Sequence, residues 1–457
     1  MDWSNIKTVY MIGVKGVGMA MLAEFLVSLK ITVSGSDVAE DFMTALGLAR
    51  AGVTVFNGFD ATRVPSNVDL IIYSTAYNKN NPELAVALVG KVPIMSYAEA
   101  LAKVFNYRHG IAVCGSHGKT TTTAWLGFVM DKLDFRPAVM VGARVPQFNG
   151  AGLPGASEYL VIEADEYQNK LQYLEPKSAI LNNIDYDHPD FYPDLASYAK
   201  AFADFTRRLP SKGWLVANGD DAQVGEIVKN SPARLVSFGL TEGNEFRATE
   251  LAVAAGQQYF RVWWKEQDLG MFTAHLIGKH NVYNALAVIA AAWQFEPDLT
   301  NLRSAVADFL GTTRRLEYRG EWHGSLIYDD YAHHPTEIKA VIAALKSMEP
   351  KRHLIAVFHP HTFTRTTVLF DDFASSFAEA DEVIVLEIYA SARETKSNLS
   401  SMELVQAIQK NYPDKPVRYA TNLESAEADL RTNLKVGEVV LLLGAGDVFR
   451  VADRLLA

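Results

Sequence analysis

The chain has 457 residues, 49% hydrophobic and 21% charged, enough apolar material for two or three domains with their own cores. A formal net charge of -10 speaks against nucleic acid or an anionic membrane surface as the main partner. The single cysteine, Cys114, excludes an intrachain disulfide and fits a reducing, cytoplasmic compartment. The start runs directly into a strand-like stretch, so no signal peptide is expected. No long uncharged apolar run predicts a spanning helix.

In chain order, the first predicted unit is TVYMIGVKGVGMAMLAEFL from Thr8, a strand entering a glycine turn and then a helix. Residues 70–74 read as a short buried parallel strand. The second unit is GIAVCGSHGKTTTTAWL from Gly110. Further strands follow at 159–162 and 178–183. Residues 240–275, with the run YFRVWW from Tyr259, predict antiparallel strands inserted into the middle domain. A helix begins near Pro335, with Ile338, Val341, Ile342 and Leu345 spaced along one face. Residues 354–358 and 383–386 are again strand-like, and EVVLLLGAGDVFRVADRLL from Glu438 is the third strand-turn-helix unit. This alternation predicts an α/β protein with mainly parallel sheets. Boundaries are expected near 107 and 313, dividing the chain into 1–107, 108–313 and 314–457.

GSHGKTTT at 115–122 has the features of a phosphate-binding loop. Its glycines let backbone N–H groups face a phosphate at a helix N-terminus. Lys119 supplies a point charge for the β- and γ-phosphates, and the Thr120 hydroxyl suits Mg²⁺. The spacing Gly-x-x-Gly-Lys-Thr is two residues shorter than the common loop. Downstream, EADEY at 163–167 and NNIDYDHPD at 182–190 each follow a strand. Ligands of parallel sheets bind beyond the carboxyl ends of strands, so Glu166 and His188 are expected to face the loop. Asp165 reads as a capping or surface residue. The first loop, Gly13-Val-Lys-Gly16-Val-Gly18, with Asp37 ending the next strand, predicts a second nucleotide crevice. Taken alone, that loop also admits a nicotinamide-dependent dehydrogenase, but hydride transfer has no need of the phosphate loop and its metal residues.

These motifs, in this order, resemble the Mur ligases along essentially the whole chain. The resemblance is carried by GVKGVGMA with SGSD, by GSHGKTTT, by EADEY with the following DH, by LIGKHNVYNALAV at 276–288, and by TTRRLEYRGE with DDYAHHPTE. HPHTFTRT at 359–366, IYASARE at 388–394 and the form of the first loop are similar to the members that use L-alanine. Thr362 departs from some of those members, which have arginine there.

The family resemblance implies three domains: an N-terminal Rossmann-like UDP-sugar-binding domain, a central P-loop ATPase-like α/β domain, and a C-terminal Rossmann-like α/β domain for the amino acid. It implies amide formation in peptidoglycan precursor synthesis, with ATP and Mg²⁺ as cofactors. UDP-N-acetylmuramate and L-alanine are the implied substrates, and a monomer or homodimer is the expected state. Gly16, Gly18 and Asp37 would hold the uridine diphosphate, with Ser74, Thr75 and Ala76 beside the sugar. Gly115, Ser116, His117, Gly118, Lys119, Thr120 and Thr121 would cradle ATP. His280, Asn281 and Asn284 would lie near the adenine, and Arg315 and Asp330 would reach ATP from the linker. Thr120, Glu166 and His188 would bind two Mg²⁺ ions. His333, His361 and Arg365 would line the amino-acid and reacting-carboxylate site. Lys119, Glu166, His188 and Arg365 would carry catalysis. His334 reads as a core histidine, and Lys200 does not match the carbamylated lysine of some relatives. A ligase that attaches a recycled tripeptide to the same UDP-sugar is the nearest alternative. A folylpolyglutamate-type ligase shares the shortened loop but not the N-terminal crevice.

Overall fold

Three β-sheets follow one another along the chain in the computed structural model, which describes residues 5–40, 42, 44–389 and 399–457. Of the IYASARE stretch, residues 390–394 lie outside the described residues.

The first sheet contains β1 (Thr8–Ile12), β2 (Thr32–Asp37), β3 (Thr54–Asn57), β4 (Leu70–Tyr73) and β5 (Ile94–Ser96). Its order is β3-β2-β1-β4-β5, and all its strands are parallel. The chain winds outward from β1 to β3 and then returns to β4 on the other side. The switch point therefore lies beyond the ends of β1 and β4, where a crevice opens. Gly13 turns there at φ +83°, and a Cβ on it would lie 2.6 Å from the Tyr77 ring.

The middle sheet has ten strands. They are β6 (His109–Cys114), β7 (Ala138–Val145), β8 (Gly150–Leu153), β9 (Tyr159–Glu163), β10 (Ser178–Leu181), β11 (Trp214–Asn218), β12 (Arg234–Gly239), β13 (Phe246–Ala254), β14 (Gln257–Trp264) and β15 (Gln267–Ala274). β6 lies between β10 and β9, parallel to both, so the loops leaving these three strands emerge side by side. Ile111, Val113, Val161 and Ile180 on these strands are fully buried, which explains their unbroken apolar runs. β13 to β15 form the expected antiparallel meander. They continue the main sheet, because β13 pairs in parallel with β12.

The third sheet contains β16 (Glu317–Trp322), β17 (Ser325–Asp330), β18 (Leu354–Phe358), β19 (Glu382–Leu386), β20 (Val417–Ala420) and β21 (Val439–Leu443), in the order β16-β17-β21-β18-β19-β20. Only the β16–β17 pair is antiparallel. The helix Pro335–Met348 buries Ile338, Val341, Ile342 and Leu345, as their spacing predicts. Its start is set by Pro335 in the first turn and by His334, whose side chain accepts from Thr336 N.

The two joints between these units differ. One apolar cluster runs from the first sheet, through Met11, Leu22 and Phe105, into one face of the middle sheet at Ala112, Met140 and Leu181. The third sheet has its own cores and meets the middle one through polar pairs: His117 with Glu337, Thr336 with Asp185, and Arg365 with Asp187. No helix among the described residues is long and apolar enough to cross a membrane.

Candidate active site

The phosphate loop is built by local backbone demands. Gly115 and Gly118 have φ of +124° and +78°, and a Cβ on Gly118 would lie 2.4 Å from Asn284 Oδ1. Only glycine meets both conditions. The loop is tied to the end of β10, where Ser116 N donates to Asn183 O (3.1 Å) and His117 N to Asn183 Oδ1 (2.8 Å). The helix Lys119–Lys132 follows at once and is buried from Thr120 to Met130.

Lys119 Nζ donates to Gly115 O (2.6 Å) and Ser116 O (2.9 Å), and lies 3.0 Å from Glu166 Oε2. Burial opposes its charge, but Glu166, Asp165 and Glu163 outweigh that and hold the ammonium firmly protonated. Glu166 is fully buried; despite that burial, Lys119 and a hydrogen bond with His188 keep its pKa below the usual carboxylate value. His188 sits at φ +57°, a strained geometry for a non-glycine residue, with its ring against Tyr167 and its Nε2 3.5 Å from Glu166.

Asp165, Glu166 and His188 each offer one ligand atom, all within 4.8 Å of one another. Glu166 Oε2 is buried and, among the described residues, has no partner besides the Lys119 ammonium 3.0 Å away. Thr120 Oγ1 donates to Glu163 Oε1 at 2.9 Å, which leaves its own lone pairs available. This oxygen-rich set beside the loop lysine fits Mg²⁺. Asp165 also performs the expected turn duty, accepting from Tyr167 N at 2.9 Å and pairing with Lys170.

Two adjoining cavities meet at this loop. The larger, about 680 Å³, is lined by Gly16, Gly18, Ser74 and Thr75 from the first domain. Lys119, Thr120 and His188 line it from the middle domain, and Arg315 and His333 from the third. The helix Val17–Ser28 opens onto it at Gly16 with no side-chain cap on its first N–H groups. The smaller, about 380 Å³, combines Ile184, Phe238 and Leu276 with His280, Asn281, Asn284, Arg315 and Asp330. That mixture of apolar walls and a few amides suits a nucleobase. His117, Gly118 and Glu337 line it too; Gly118 and Glu337 are shared with the larger cavity.

Most residues singled out in the sequence thus line one cavity or the other, but several do not. Asp37 is buried, and its oxygens accept from Lys15 N (2.7 Å), Val38 N (2.8 Å) and the Tyr77 hydroxyl (2.7 Å). These bonds tie it to the first loop behind the cavity wall. Gly115 and Ala76 likewise act through the backbone; Ala76 N donates to Ser74 Oγ. His361 stacks on Tyr389 at 5.4 Å, with its ring 6.4 Å from that of His333. Arg365 is buried, its Nε 2.8 Å from Asp187 Oδ1. Asn281 and Asn284 bond to each other and, through Thr122, to the phosphate-loop helix, so they pack as well as line.

Sequence reasoning missed four residues. Glu337 accepts from His333 N (3.1 Å) and pairs with His117 Nδ1 (3.1 Å), joining the third domain to the phosphate loop. Burial disfavours a charge on His117, but Asp185 and Glu337 reverse that and raise its pKa to about 9. In sequence, Glu337 is only an acid in a helix's first turn. Arg314 is sandwiched between Tyr331 (5.1 Å) and Phe449 (4.8 Å) and pairs with Asp329 at 2.9 Å. Asn182 lines the smaller cavity, with its Oδ1 buried and without a donor among the described residues.

Tyr198 is the fourth: its hydroxyl lies 2.9 Å from Ser116 Oγ and donates to Glu166 Oε1 at 3.0 Å. Tyr198→Phe is expected to lower kcat about tenfold, in line with about 1.5 kcal/mol for one hydrogen bond to a charged group. Steady-state kinetics over a Mg²⁺ series checks it; unchanged kcat and Mg²⁺ requirement would remove Tyr198 from the site.

Asp330 carries a pH prediction. Burial raises its pKa to about 7, against the pull of Arg315 and the N–H groups of Ala332 and Leu316. A raised pKa means the native state holds a proton that the unfolded state has released. Stability is therefore full below about pH 4 and falls as pH rises to 7, by about 4 kcal/mol for this group. Asp330→Asn should flatten that part of the profile in urea titrations between pH 5 and pH 8. A slope equal to wild type would contradict the assignment.

Comparison with known proteins matches this arrangement along the whole chain. Residues 8–109 match the model described as the Mur ligase family catalytic domain, 113–292 the Mur ligase middle domain, and 314–446 the Mur ligase glutamate ligase domain. A UDP-N-acetylmuramate--L-alanine ligase of Desulfitobacterium hafniense is 36% identical over 98% of this chain and 99% of its own. One of the same name from Aquifex aeolicus is 34% identical over 99% of this chain and 98% of its own. The crystal structure of a UDP-N-acetylmuramate-alanine ligase from Thermotoga maritima superposes with a TM-score of 0.84 at 25% identity, covering 99% of this chain and 98% of its own. With relatives above 30% identity over nearly its full length and three successive domain models in order, the chain belongs to the Mur ligase family.

Proposed function

We propose that this protein is an ATP-dependent ligase that joins L-alanine to the lactyl carboxylate of UDP-N-acetylmuramate, releasing ADP and phosphate. The observation that carries the reading is convergence: the phosphate loop, Asp165 and His188 of the metal-ligating cluster, and the first glycine loop line one cavity, with Glu166 buried just behind them. The names of the full-length relatives support the choice of substrates. The domain division is proposed at 107/108 and 313/314. The first falls between the helix ending at Asn106 and β6; the second falls in the turn before β16.

A carboxylate is a poor electrophile, so it is first phosphorylated by ATP. Lys119 is held by two loop carbonyls where charge develops on the transferring phosphoryl group. Mg²⁺, when bound by Asp165, Glu166 and His188 with Thr120 nearby, would neutralise phosphate oxygens. The amine of alanine then attacks the acyl phosphate. Arg365 keeps a positive charge near His188 and His333, where a carboxylate can be received. Burial lowers the pKa of His333 to about 4, so it is neutral at pH 7. The polar joint of the third domain suits a closing motion that excludes water from the intermediate.

The test is mass spectrometry of products after incubation with ATP, UDP-N-acetylmuramate and an amino-acid mixture. The L-alanine adduct should dominate. Glycine and serine should be used more slowly, because a methyl group in an apolar pocket is worth only about 1–3 kcal/mol. AMP and pyrophosphate as products would overturn the reading. So would a higher kcat/KM for L-alanyl-γ-D-glutamyl-diaminopimelate than for L-alanine.

A further inference from the structure

A second cluster of metal-ligating side chains lies outside the carboxylate site. His117, Asp185 and His334 each offer one ligand atom, all within 4.8 Å of one another. They come from three places in the fold: the phosphate loop, the loop after β10, and the cap of the helix Pro335–Met348. His334 was expected to be a core histidine, and it is 3% exposed, but it is not simply packed away.

The orientation of the two imidazoles is the informative feature. His117 Nδ1 is engaged by Glu337 Oε1 at 3.1 Å, and His334 Nε2 by the Tyr186 carbonyl at 3.2 Å. The opposite nitrogens, His117 Nε2 and His334 Nδ1, converge on Asp185 Oδ2 at 3.0 and 3.6 Å; an ion bound there would displace the proton between His117 Nε2 and Asp185 and the 3.3 Å hydrogen bond that His334 Nδ1 accepts from Thr336 N. Imidazoles that bind a metal almost always have their second nitrogen held by a carboxylate or a backbone carbonyl. Both do here. Ligands on a tetrahedral ion with bonds near 2.0–2.1 Å lie about 3.3 Å apart. The two observed spacings bracket that value. Asp185 is 37% exposed, which leaves a path for an ion.

We propose that His117, Asp185 and His334 form a transition-metal site, best suited to Zn²⁺, that ties the third domain to the phosphate loop. Two imidazoles and one carboxylate select Zn²⁺ over Mg²⁺, whereas the two carboxylates and one imidazole near Lys119 favour the harder ion. The fourth position is open to water. Such a tie joins segments on opposite sides of the polar joint, so bound Zn²⁺ slows the opening that turnover needs and acts as an inhibitor.

The test uses the full chain, without ATP or sugar, in saturating MgCl2, with ZnCl2 titrated against a chromophoric chelator. One site is expected, weakened by more than about tenfold in His334→Asn, which keeps a side-chain acceptor for Thr336 N. Asp185→Asn gives the same reading if His334→Asn does not fold. X-ray absorption at the zinc edge of the wild type should show two imidazoles. Fewer than two imidazoles, unchanged affinity in a folded variant, or displacement of zinc by MgCl2 would each overturn the proposal. Because no substrate is present, these outcomes are separate from the fate of the ligase assignment. In turnover assays of folded variants that retain activity, inhibition by ZnCl2 should shift to higher concentration by the same factor.

Discussion

Lys119→Ala should lower kcat at least about a thousandfold, equivalent to about 4 kcal/mol of transition-state stabilisation. The ammonium is already in place before any substrate arrives, fixed by Gly115 O, Ser116 O and Glu166. These three contacts use all three ammonium donors, so Lys119 exchanges one of them for an oxygen of the transferring phosphoryl group while its charge stays at the loop. Removing it also strips Glu166 of its largest favourable charge, so that carboxyl should titrate higher in the variant. The first glycine loop belongs to another sheet, so affinity for the UDP-sugar should change little. Phosphate-release kinetics and calorimetric binding of UDP-N-acetylmuramate measure the two effects separately. A kcat within tenfold of wild type would exclude Lys119 from phosphoryl transfer.

Arg365→Met is expected to destabilise the protein by about 3–5 kcal/mol, because it leaves Asp187 buried and without its charge partner. Both side chains are 7% exposed, so water screens the pair little. Burial opposes ionisation of Asp187, but Arg365, with His188 and His333, drives its pKa well below the usual carboxylate value. A depressed pKa gives stability that is present above the unfolded value, near pH 4, and lost as pH falls through the folded one. The gap between wild type and variant should therefore be widest at neutral pH and should narrow on acidification below about pH 4. Urea titrations at pH 7 and pH 3.5 check both size and sign. The double variant Arg365→Met with Asp187→Leu should regain much of the stability while remaining inactive. A constant gap across pH would show that Arg365 acts by packing alone.

The pair also illustrates where reading the chain as a string stops. HPHTFTRT marked Arg365 as a cation for the reacting groups, and the structure buries it against Asp187. Nothing local announces that its partner is Asp187, 178 residues away. The His117–Glu337 contact spans 220 residues; His117 reads as part of the phosphate loop and Glu337 as an ordinary first-turn acid, and neither announces the other. Asp37 shows a different gap: an acid ending the second strand matches a ribose-binding pattern, and nothing local announces that its carboxylate is also bonded by Lys15 N and the Tyr77 hydroxyl.

What the sequence determined by itself is what depends on short-range constraints. Glycine at positive φ, lysine and threonine entering a helix, unbroken apolar strands and a helical stripe of Ile338, Val341, Ile342 and Leu345 each follow from backbone sterics and burial within a few residues. The strand-end rule then placed Glu166 and His188 beside the loop, because β9 and β10 flank β6 in parallel. Only the tertiary structure decided the pairings: which carboxylate meets Lys119, which acids clasp His117, and which of the two metal-like clusters is rich in oxygen and which in nitrogen. These are set by how three separately wound sheets dock. Docking energy comes from apolar area at one joint and a few buried charge pairs at the other, and neither has a periodicity that a single strand or helix can display.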